Sequence, residues 1–210
     1  MKIYPIVEGH GEVAAAPVLL RRLLHDQAAC YGMDVGTPIR RTQSQFRSKE
    51  SVQAAVRLAK LQPQCAAVLL LFDGEDDCPK ELAETVRAWA LEAAAGTPCD
   101  VVIAYREYET WFVAALESLR GRFGIRDEAA APANPESRRD AKGSLEDFMP
   151  ATRAYSETGD QPAMSAVFDM ALAHQRNRSF RKLVKTIGVL LSALGQPLAE
   201  WPPAGWQPES

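Results

Sequence analysis

Long apolar runs and a strong excess of charge of either sign are both missing from this sequence. No stretch reaches the roughly 18 apolar residues that a membrane-spanning helix needs, and no basic segment leads into a signal-like apolar stretch. The formal net charge is −3, so bulk charge does not indicate a nucleic-acid-binding protein, although a local basic face can lie on an acidic protein. We therefore expect a cytoplasmic protein that does not span a membrane, and we expect no membrane among its partners.

Cysteine is scarce, and a phosphate-binding loop is absent. The four cysteines lie far apart and form no CxxC motif, which predicts reduced and mostly buried thiols. The segment LLLFD is similar to a Walker B strand, but no GxxxxGK[ST] motif accompanies it. The sequence therefore predicts no ATP site of its own.

The first 120 residues alternate short apolar runs with amphipathic stretches. The segments KIYPIV, CAAVLLLFD and CDVVIAYRE predict buried strands, and MDVGTPIRRT contains a further strand signal. Helices are predicted between them, the first over residues 16–27 with Pro17 in its first turn. This order predicts an α/β fold with a mostly parallel sheet and helices on both faces.

The remaining residues have a different character. Residues 121–144 are rich in alanine, proline and charge and predict a long loop, and two or three helices are expected from Leu145 to about Leu194. We expect an α/β core over residues 1–120, with residues 121–210 forming a loop and helical extension packed on it in a single domain.

Acidic side chains follow three of the predicted strands. Because the carboxyl ends of parallel strands meet at one edge of a sheet, these acids are expected to converge there. Gathered carboxylates repel one another, and Mg²⁺ or Mn²⁺ would offset that repulsion. The alternative is that single acids cap the following helices, most simply Asp76 and Asp77. The candidate acids are Glu8, Glu12, Asp73, Glu75, Asp76, Asp77, Glu107 and Glu109.

The glycines after the first strand allow a second interpretation. Gly9, Gly11 and Ala14 match the G-x-G-x-x-A pattern of dinucleotide-binding proteins, with Asp34 as the acid that would bind the ribose. Carboxylates beside the glycines would repel a pyrophosphate unless a metal were present. The acidic cluster is therefore the preferred hypothesis.

Three segments together carry a resemblance to a known fold. VEGHGE, DGEDD and REYETWF resemble the Toprim fold of topoisomerases, primases and nucleases of the overcoming-lysogenization-defect (OLD) type. More narrowly, the chain is similar to a family of small bacterial Toprim-like proteins designated DUF4276. The similarity covers most of the chain, through RRDAKGSLEDF to RNRSFRKLVKTIG.

The resemblance implies a metal site. It assigns Glu8 as a general acid/base or metal ligand, and Asp73 and Glu75 as the pair that binds Mg²⁺. This pair is a DxE where the fold usually has DxD, so Asp77 is an alternative second ligand. OLD-type nucleases use a further acid, which corresponds to Glu12, and can hold two metals. Position alone adds two more acids, which gives the expected ligand set Glu8, Glu12, Asp73, Glu75, Asp77, Glu107 and Glu109.

The activity implied by the resemblance is metal-assisted phosphodiester hydrolysis, as in a nuclease that acts against mobile DNA together with a separate ATPase. Lys142 would neutralise the charge that develops on the phosphate, unless it is a solvated loop lysine. His10 is either a phosphate or metal contact or an exposed loop residue. The alternatives are a catalytically silent module that binds nucleic acid or a partner protein, and a small-molecule phosphohydrolase.

A basic helix is the candidate surface for DNA or RNA. In RNRSFRKLVKTIG, cations recur at helical spacing beside an apolar stripe, so one face would pack while the other contacts phosphates. An ordinary solvated face is the alternative, and Arg40, Arg41, Arg47, Arg138 and Arg139 would extend a binding surface. The predicted nucleic-acid-binding residues are Arg178, Arg181, Lys182 and Lys185.

Overall fold

A five-stranded parallel sheet forms the centre of the protein. The computed structural model describes residues 1–198 and 200–206. Residues 199 and 207–210, which belong to the predicted extension, lie outside the described residues. The strand order is β2-β1-β4-β5, with β3 also pairing with β1, and every strand pair is parallel. The strands are β1 (Lys2–Val7), β2 (Asp34–Val35), β3 (Ile39–Arg40), β4 (Cys65–Asp73) and β5 (Cys99–Ala104).

Pro5 lies in the middle of β1 without disrupting the sheet. Strand β2 pairs with Lys2 and Ile3, and β3 pairs with Ile6 and Val7, so the partner along this side is interrupted beside Pro5. The carbonyl oxygens of Ile3 and Val7 accept hydrogen bonds from the side of β1 that faces β2 and β3. Alternate residues of a strand point their backbone groups to the same side, so the nitrogen of residue 5 also faces β2 and β3. The missing N–H of proline therefore falls at a gap where no donor is needed.

Helices cover both faces of the sheet, as the alternation of strands and helices predicts. One face packs against α2, α3 and α4, and the other packs against α1, α5 and helices of the C-terminal segment. Strand β4 is buried on both faces because its alternate side chains enter the two separate cores. The helices named here are α1 (His10–Arg21), α2 (Gln43–Phe46), α3 (Lys49–Lys60), α4 (Pro79–Ala94) and α5 (Thr110–Ala114).

Helix α1 begins earlier than predicted. It starts at His10, directly after Gly9 in an extended conformation, whereas the proline had suggested a start at residue 16. Pro17 is therefore inside the helix, which continues as a π-helical segment over Arg22–Gln27. The early start places Glu12 in the first helical turn. Proline statistics misplaced the boundary because packing against the sheet outweighs one lost backbone hydrogen bond.

Within the residues that the structure describes, the C-terminal segment contributes four α-helices to the core that also contains α1 and α5. They are α6 (Ala141–Glu146), α7 (Asp160–Ser165), α8 (Met170–Arg176) and α9 (Arg178–Ala193). The ring of Phe168 packs edge to face against Phe112 of α5, with the centroids 5.3 Å apart. It packs in the same way against Phe180 of α9, with the centroids 5.7 Å apart. Helix α7 packs against α1 and α9 packs against β5. Among the described residues, no helix is both long and apolar enough to cross a membrane.

Candidate functional site

The carboxyl ends of β1, β4 and β5 lie side by side at one edge of the sheet. The register pairs Val7 with Leu71, and Asp73 with Ala104. The loops that follow β4 and β5 are joined to each other. The backbone N–H of Glu75 donates to the carbonyl of Arg106 at 2.9 Å. The N–H of Tyr108 donates to Oδ1 of Asp73, also at 2.9 Å. Acids that follow these strands are therefore held near one another.

Four of the predicted acids gather at this edge: Glu8 after β1, Asp73 at the end of β4, Glu12 in the first turn of α1, and Glu109 just before α5. Glu12 is 3% exposed and Glu109 is fully buried, whereas Glu8 and Asp73 are half-buried. The convergence expected from the strand ends is therefore present for these four residues, which we call the acidic cluster.

Proton affinities in the acidic cluster are raised because like charges share a poorly solvated site. Burial, with the nearby charges of Glu8 and Glu109, raises the pKa of Glu12 to about 8. Burial also raises the pKa of Glu109 to about 7, although Lys142 opposes the shift. The pKa of Asp73 lies well above its usual range, first through burial and then through the charges of its carboxylate neighbours. Without a compensating cation, part of the cluster holds protons at neutral pH.

Glu12 has a structural role as well. One of its carboxylate oxygens, Oε2, accepts a hydrogen bond from the backbone N–H of Glu8 at 3.0 Å. An acid at the third position of a helix commonly bonds back to the backbone before the helix, as in a capping box. Glu12 therefore fixes the turn from β1 into α1, and the alternative in which single acids cap helices applies in part to this residue.

The carboxylate of Glu109 is held on one side only. Its Oε1 accepts hydrogen bonds from the hydroxyl of Tyr155 at 3.0 Å and from Nε2 of Gln161 at 3.1 Å. Its Oε2 is buried without a hydrogen-bond partner among the described residues, and so is Oε2 of Glu8. Buried carboxylate oxygens without partners are rare, because an unpaired acceptor loses its hydration. Two lone-pair sites in the cluster are thus free to take a ligand.

Lys142 is the cation placed beside the acidic cluster. Its ammonium group pairs with Glu157 at 2.6 Å. Burial lowers the pKa of Lys142, but the Glu157 hydrogen bond and the charges of Glu109 and Asp73 outweigh it, so the net shift is upward. Glu107 helps to place this residue, since its Oε2 accepts from the Lys142 backbone N–H at 3.2 Å in the first turn of α6. The predicted loop lysine is therefore half-buried and charged at the site.

The other predicted ligands lie outside the acidic cluster. Glu75 is exposed and has a left-handed backbone conformation, with φ 46°. Its charge is the second cause, after burial, of the raised pKa of Glu8. Asp77 forms an ion pair with Arg47. Neither Asp76 nor Asp77 caps α4 through its side chain, contrary to the capping alternative, because ion pairs with arginines hold both.

The donor set suits a hard divalent cation, which prefers carboxylate oxygens. The free Oε2 atoms of Glu8 and Glu109 and the mutual repulsion of the acidic cluster also fit such an ion. Within residues 1–198 and 200–206, however, no three His, Cys, Asp or Glu side chains are already arranged to hold a metal ion. Binding would therefore displace protons from the cluster and turn its side chains toward the ion.

The cations of α9 do not form one free row. Arg178 and Lys182 line a cleft of about 570 Å³ with α4 and β5, whereas Arg181 and Lys185 line a different cleft beside Trp201. Arg178 pairs with Glu136 at 2.9 Å and Lys182 with Asp100 at 3.3 Å. The guanidinium of Arg181 donates to carbonyls of residues 174 and 175 at the end of α8. The packing of α9 therefore divides these four cations between two clefts and pairs two of them with acids, so they do not present one continuous face. Their binding of nucleic acid stays a prediction. The apolar stripe on α9 is buried as predicted: Phe180, Leu183, Val184 and Ile187.

Arginines at the end of β3 and after it lie beside the carboxyl end of β1. Arg40 is paired in the sheet register with Val7, the residue before Glu8. The backbone N–H of Arg41 donates to the Val7 carbonyl at 2.8 Å. Arg47 lies near enough to lower the pKa of Glu8 against the dominant effect of burial. The backbone of residues 40 and 41 therefore lies at the same edge of the sheet as the carboxylates, and Arg47 places a positive side chain there.

The position of Asp34 contradicts the dinucleotide interpretation. Asp34 pairs with Lys2 at the amino end of β1, whereas Gly9 follows the carboxyl end of that strand. The Asp34 carboxylate is bound to Arg21 at 2.8 Å. Gly11 faces the 157–161 segment, and His10 is exposed as the first residue of α1. Gly11 therefore permits the close packing of the 157–161 segment, and Asp34 lies at the wrong end of β1 to bind the ribose of a dinucleotide at the glycines.

Sequence reasoning missed three residues of the site. Tyr155, Glu157 and Gln161 lie in and before α7 and contact Glu109 or Lys142. They belong to a polar stretch without periodicity, and no motif spacing connects them to the strand ends. Only the packing of α7 against α1 brings them to the acidic cluster.

Comparison with protein families gives one match. A family model described as "Domain of unknown function (DUF4276)" matches residues 7–188, which include the whole acidic cluster and Lys142. The chain matches no curated protein and no solved structure.

Proposed function

The chain belongs to the DUF4276 family, and from the geometry of the acidic cluster we propose that it is a Mg²⁺- or Mn²⁺-dependent phosphodiester hydrolase, with DNA or RNA as its substrate. The observation that carries the proposal is the gathering of Glu8, Glu12, Asp73 and Glu109 at the ends of β1 and β4 and before α5, with two buried carboxylate oxygens left without partners. The Toprim resemblance of the same segments supports the same chemistry.

Glu8, Asp73 and Glu109 would hold the cation, and Glu12 would fix the turn that presents Glu8. A bound divalent ion lowers the pKa of a coordinated water and neutralises charge on the phosphate oxygens. Glu8 is half-buried, so its carboxylate could also accept a proton from the attacking water, and burial raises its pKa above the usual range of a glutamate. The charged Lys142 would stabilise the additional negative charge that develops on the phosphate.

The arginines at positions 40, 41 and 47 are the proposed substrate contacts. They lie beside the end of β1, so a phosphate backbone that crosses the acidic cluster would reach them. Such contacts offset the repulsion between a polyanion and the carboxylates. A cytoplasmic location, a role against mobile DNA and a separate ATPase partner belong to this proposal through the resemblance alone.

A cleavage assay with matched variants tests the proposal. Purified protein is incubated with labelled single- and double-stranded DNA and RNA in Mg²⁺, Mn²⁺ or EDTA. Cleavage should require the cation and disappear in Asp73→Asn and Glu8→Gln. It should persist in Asp76→Asn, which removes the same charge from an exposed position on the same loop. Equal cleavage by Asp73→Asn would identify a contaminating nuclease, and no cleavage under any condition would contradict the assignment.

One observation favours a second candidate, a catalytically silent module that binds nucleic acid or a partner protein. No ready-made arrangement of three metal ligands exists among the residues that the structure describes. If protons alone neutralise the acidic cluster, it is a structural element. Divalent cations would then leave the melting temperature unchanged, while nucleic acid would still bind in EDTA.

A further inference from the structure

The acidic cluster is closed on one side by a segment outside the α/β core. Residues 153–161, which we call the covering turn, run into α7 and pack against the start of α1. Asp160 shapes this turn: its carboxylate accepts from Arg153 at 2.6 Å and from the backbone N–H of Ser156 at 2.9 Å. Asp160 is itself 8% exposed, so a buried carboxylate fixes the turn. The covering turn is thus built to hold its side chains in place.

Two side chains of the covering turn reach Glu109. Tyr155 and Gln161 both donate to the same oxygen, Oε1, and leave Oε2 without a partner. Gln161 is 4% exposed, and its own Oε1 also lacks a partner among the described residues. A buried amide that uses its donor and leaves its acceptor free is unusual unless a ligand supplies the missing donor or cation.

The main chain leaves space for this amide to approach. An ideal Cβ at Gly11 would lie 2.3 Å from Oε1 of Gln161 and 2.4 Å from the carbonyl oxygen of Glu157. Only glycine permits this approach, because a methyl group at residue 11 would overlap both atoms. The fit between Gly11 and the covering turn is therefore specific to glycine.

From these contacts we propose that Tyr155 and Gln161 are positioning residues that orient Glu109, so that its free Oε2 faces the cation of the acidic cluster. This inference rests on the proposed function. Two neutral donors on Oε1 fix the rotation of the carboxylate and stabilise it as an anion without adding a competing positive charge. The covering turn thereby completes a site whose charged ligands all come from the α/β core.

Mn²⁺ binding measured by electron paramagnetic resonance tests the inference, since the signal of free Mn²⁺ reports affinity without any substrate. Tyr155→Phe removes one donor and keeps the ring, and Gln161→Met removes the other at nearly constant length. Loss of a hydrogen bond that orients a metal ligand typically weakens metal binding by about 10- to 100-fold, and we expect that range for each variant. The control is Gln175→Met in α8, which makes the same change outside the covering turn and should bind as wild type.

Melting in EDTA separates positioning from a merely structural role. A structural role would lower the melting temperature while folded protein bound Mn²⁺ with unchanged affinity, and that result would overturn the inference. If Gln161→Met does not fold, Tyr155→Phe decides the question alone. Wild-type protein that binds no Mn²⁺ would overturn the proposed function and this inference together. Wild-type binding with equal affinity in both variants would overturn only the inference.

Discussion

Gly11 at the start of α1 and Gln161 of α7 are in direct contact, with no room for a side chain at residue 11. The ideal Cβ position lies 2.3 Å from the glutamine Oε1. The contact joins the turn that carries Glu8 and Glu12 to the segment that holds Glu109. The contact between Gly11 and Gln161 thus joins the α/β core to the covering turn at the acidic cluster.

Gly11→Ala should destabilise the protein, and Gly9→Ala should be tolerated. An alanine favours a helix by about 1 kcal/mol over glycine, but the clash at residue 11 involves a backbone carbonyl that cannot rotate away. We expect a net loss of about 1–3 kcal/mol in the free energy of unfolding, measured by urea denaturation. At Gly9 the nearest atom to an added Cβ is 3.5 Å away, so the cost should stay below about 1 kcal/mol. Equal effects at both positions would contradict the close packing at Gly11.

Asp73→Asn should weaken Mn²⁺ binding by at least about tenfold in calorimetry, because the proposed ligand would lose its charge while its shape is kept. The asparagine oxygen can still accept from the Tyr108 N–H, so the loop after β5 should stay in place. Asp76→Asn is the matched control. Its side chain is exposed and bound to arginines, and its removal should leave the affinity unchanged. The same affinity in wild type and Asp73→Asn would exclude Asp73 as a ligand.

The stability of metal-free protein should fall as the pH rises from about 5 to 8. Burial raises the pKa of Glu12 to about 8 and that of Glu109 to about 7, so the folded state holds protons that the unfolded state releases at lower pH. The stabilising effect of these bound protons is complete below the pKa that the two glutamates have in the unfolded state. It is lost as the pH rises through the pKa values that they have in the folded state.

Melting temperatures in EDTA and in Mn²⁺ across this pH range measure the effect. Mn²⁺ should restore stability at pH 8, where the carboxylates are ionised and repel one another. Glu12→Gln keeps an acceptor for the Glu8 N–H but cannot ionise, so its profile in EDTA should be flatter than that of wild type. Superimposable profiles for the two proteins would show that Glu12 does not carry the shift.

Replacing both Arg40 and Arg41 by alanine should weaken the binding of every DNA or RNA sequence tested, because phosphate contacts carry no sequence information. The slope of log affinity against log salt should become shallower by roughly 0.7 to 0.9 for each phosphate that the variant no longer neutralises. Lys185→Ala provides the comparison, since this lysine is exposed on α9 in a separate cleft. If only Lys185→Ala made the salt dependence of affinity shallower, nucleic acid would bind through α9 and not through Arg40 and Arg41.

Arg181 is unsuitable for that comparison. Its guanidinium holds the last carbonyls of α8, so Arg181→Ala would disturb helix packing as well as surface charge. A loss of binding in this variant could not be assigned to phosphate contacts.

The local pattern of the chain was enough to predict the α/β fold. Apolar runs such as CAAVLLLFD occur where a strand is covered on both faces, and β4 extends over that run, Cys65–Asp73. Ser48 caps α3, with its hydroxyl accepting from the Ser51 N–H at 3.3 Å, and serine is a residue type that favours this position. Strand ends also predicted that Glu8 and Asp73 would meet, because parallel strands bring their carboxyl ends to one edge.

Only the tertiary structure decided which acids form the cluster and which residues surround it. Asp77 and Glu75 both follow the same strand end closely, but the pairing of Asp77 with Arg47 depends on where α2 packs. Lys142, Tyr155 and Gln161 reach the cluster from distant parts of the chain. Sequence periodicity reports which face of one element is apolar, whereas the meeting of polar side chains from separate elements is set by packing angles and loop paths that no local pattern encodes.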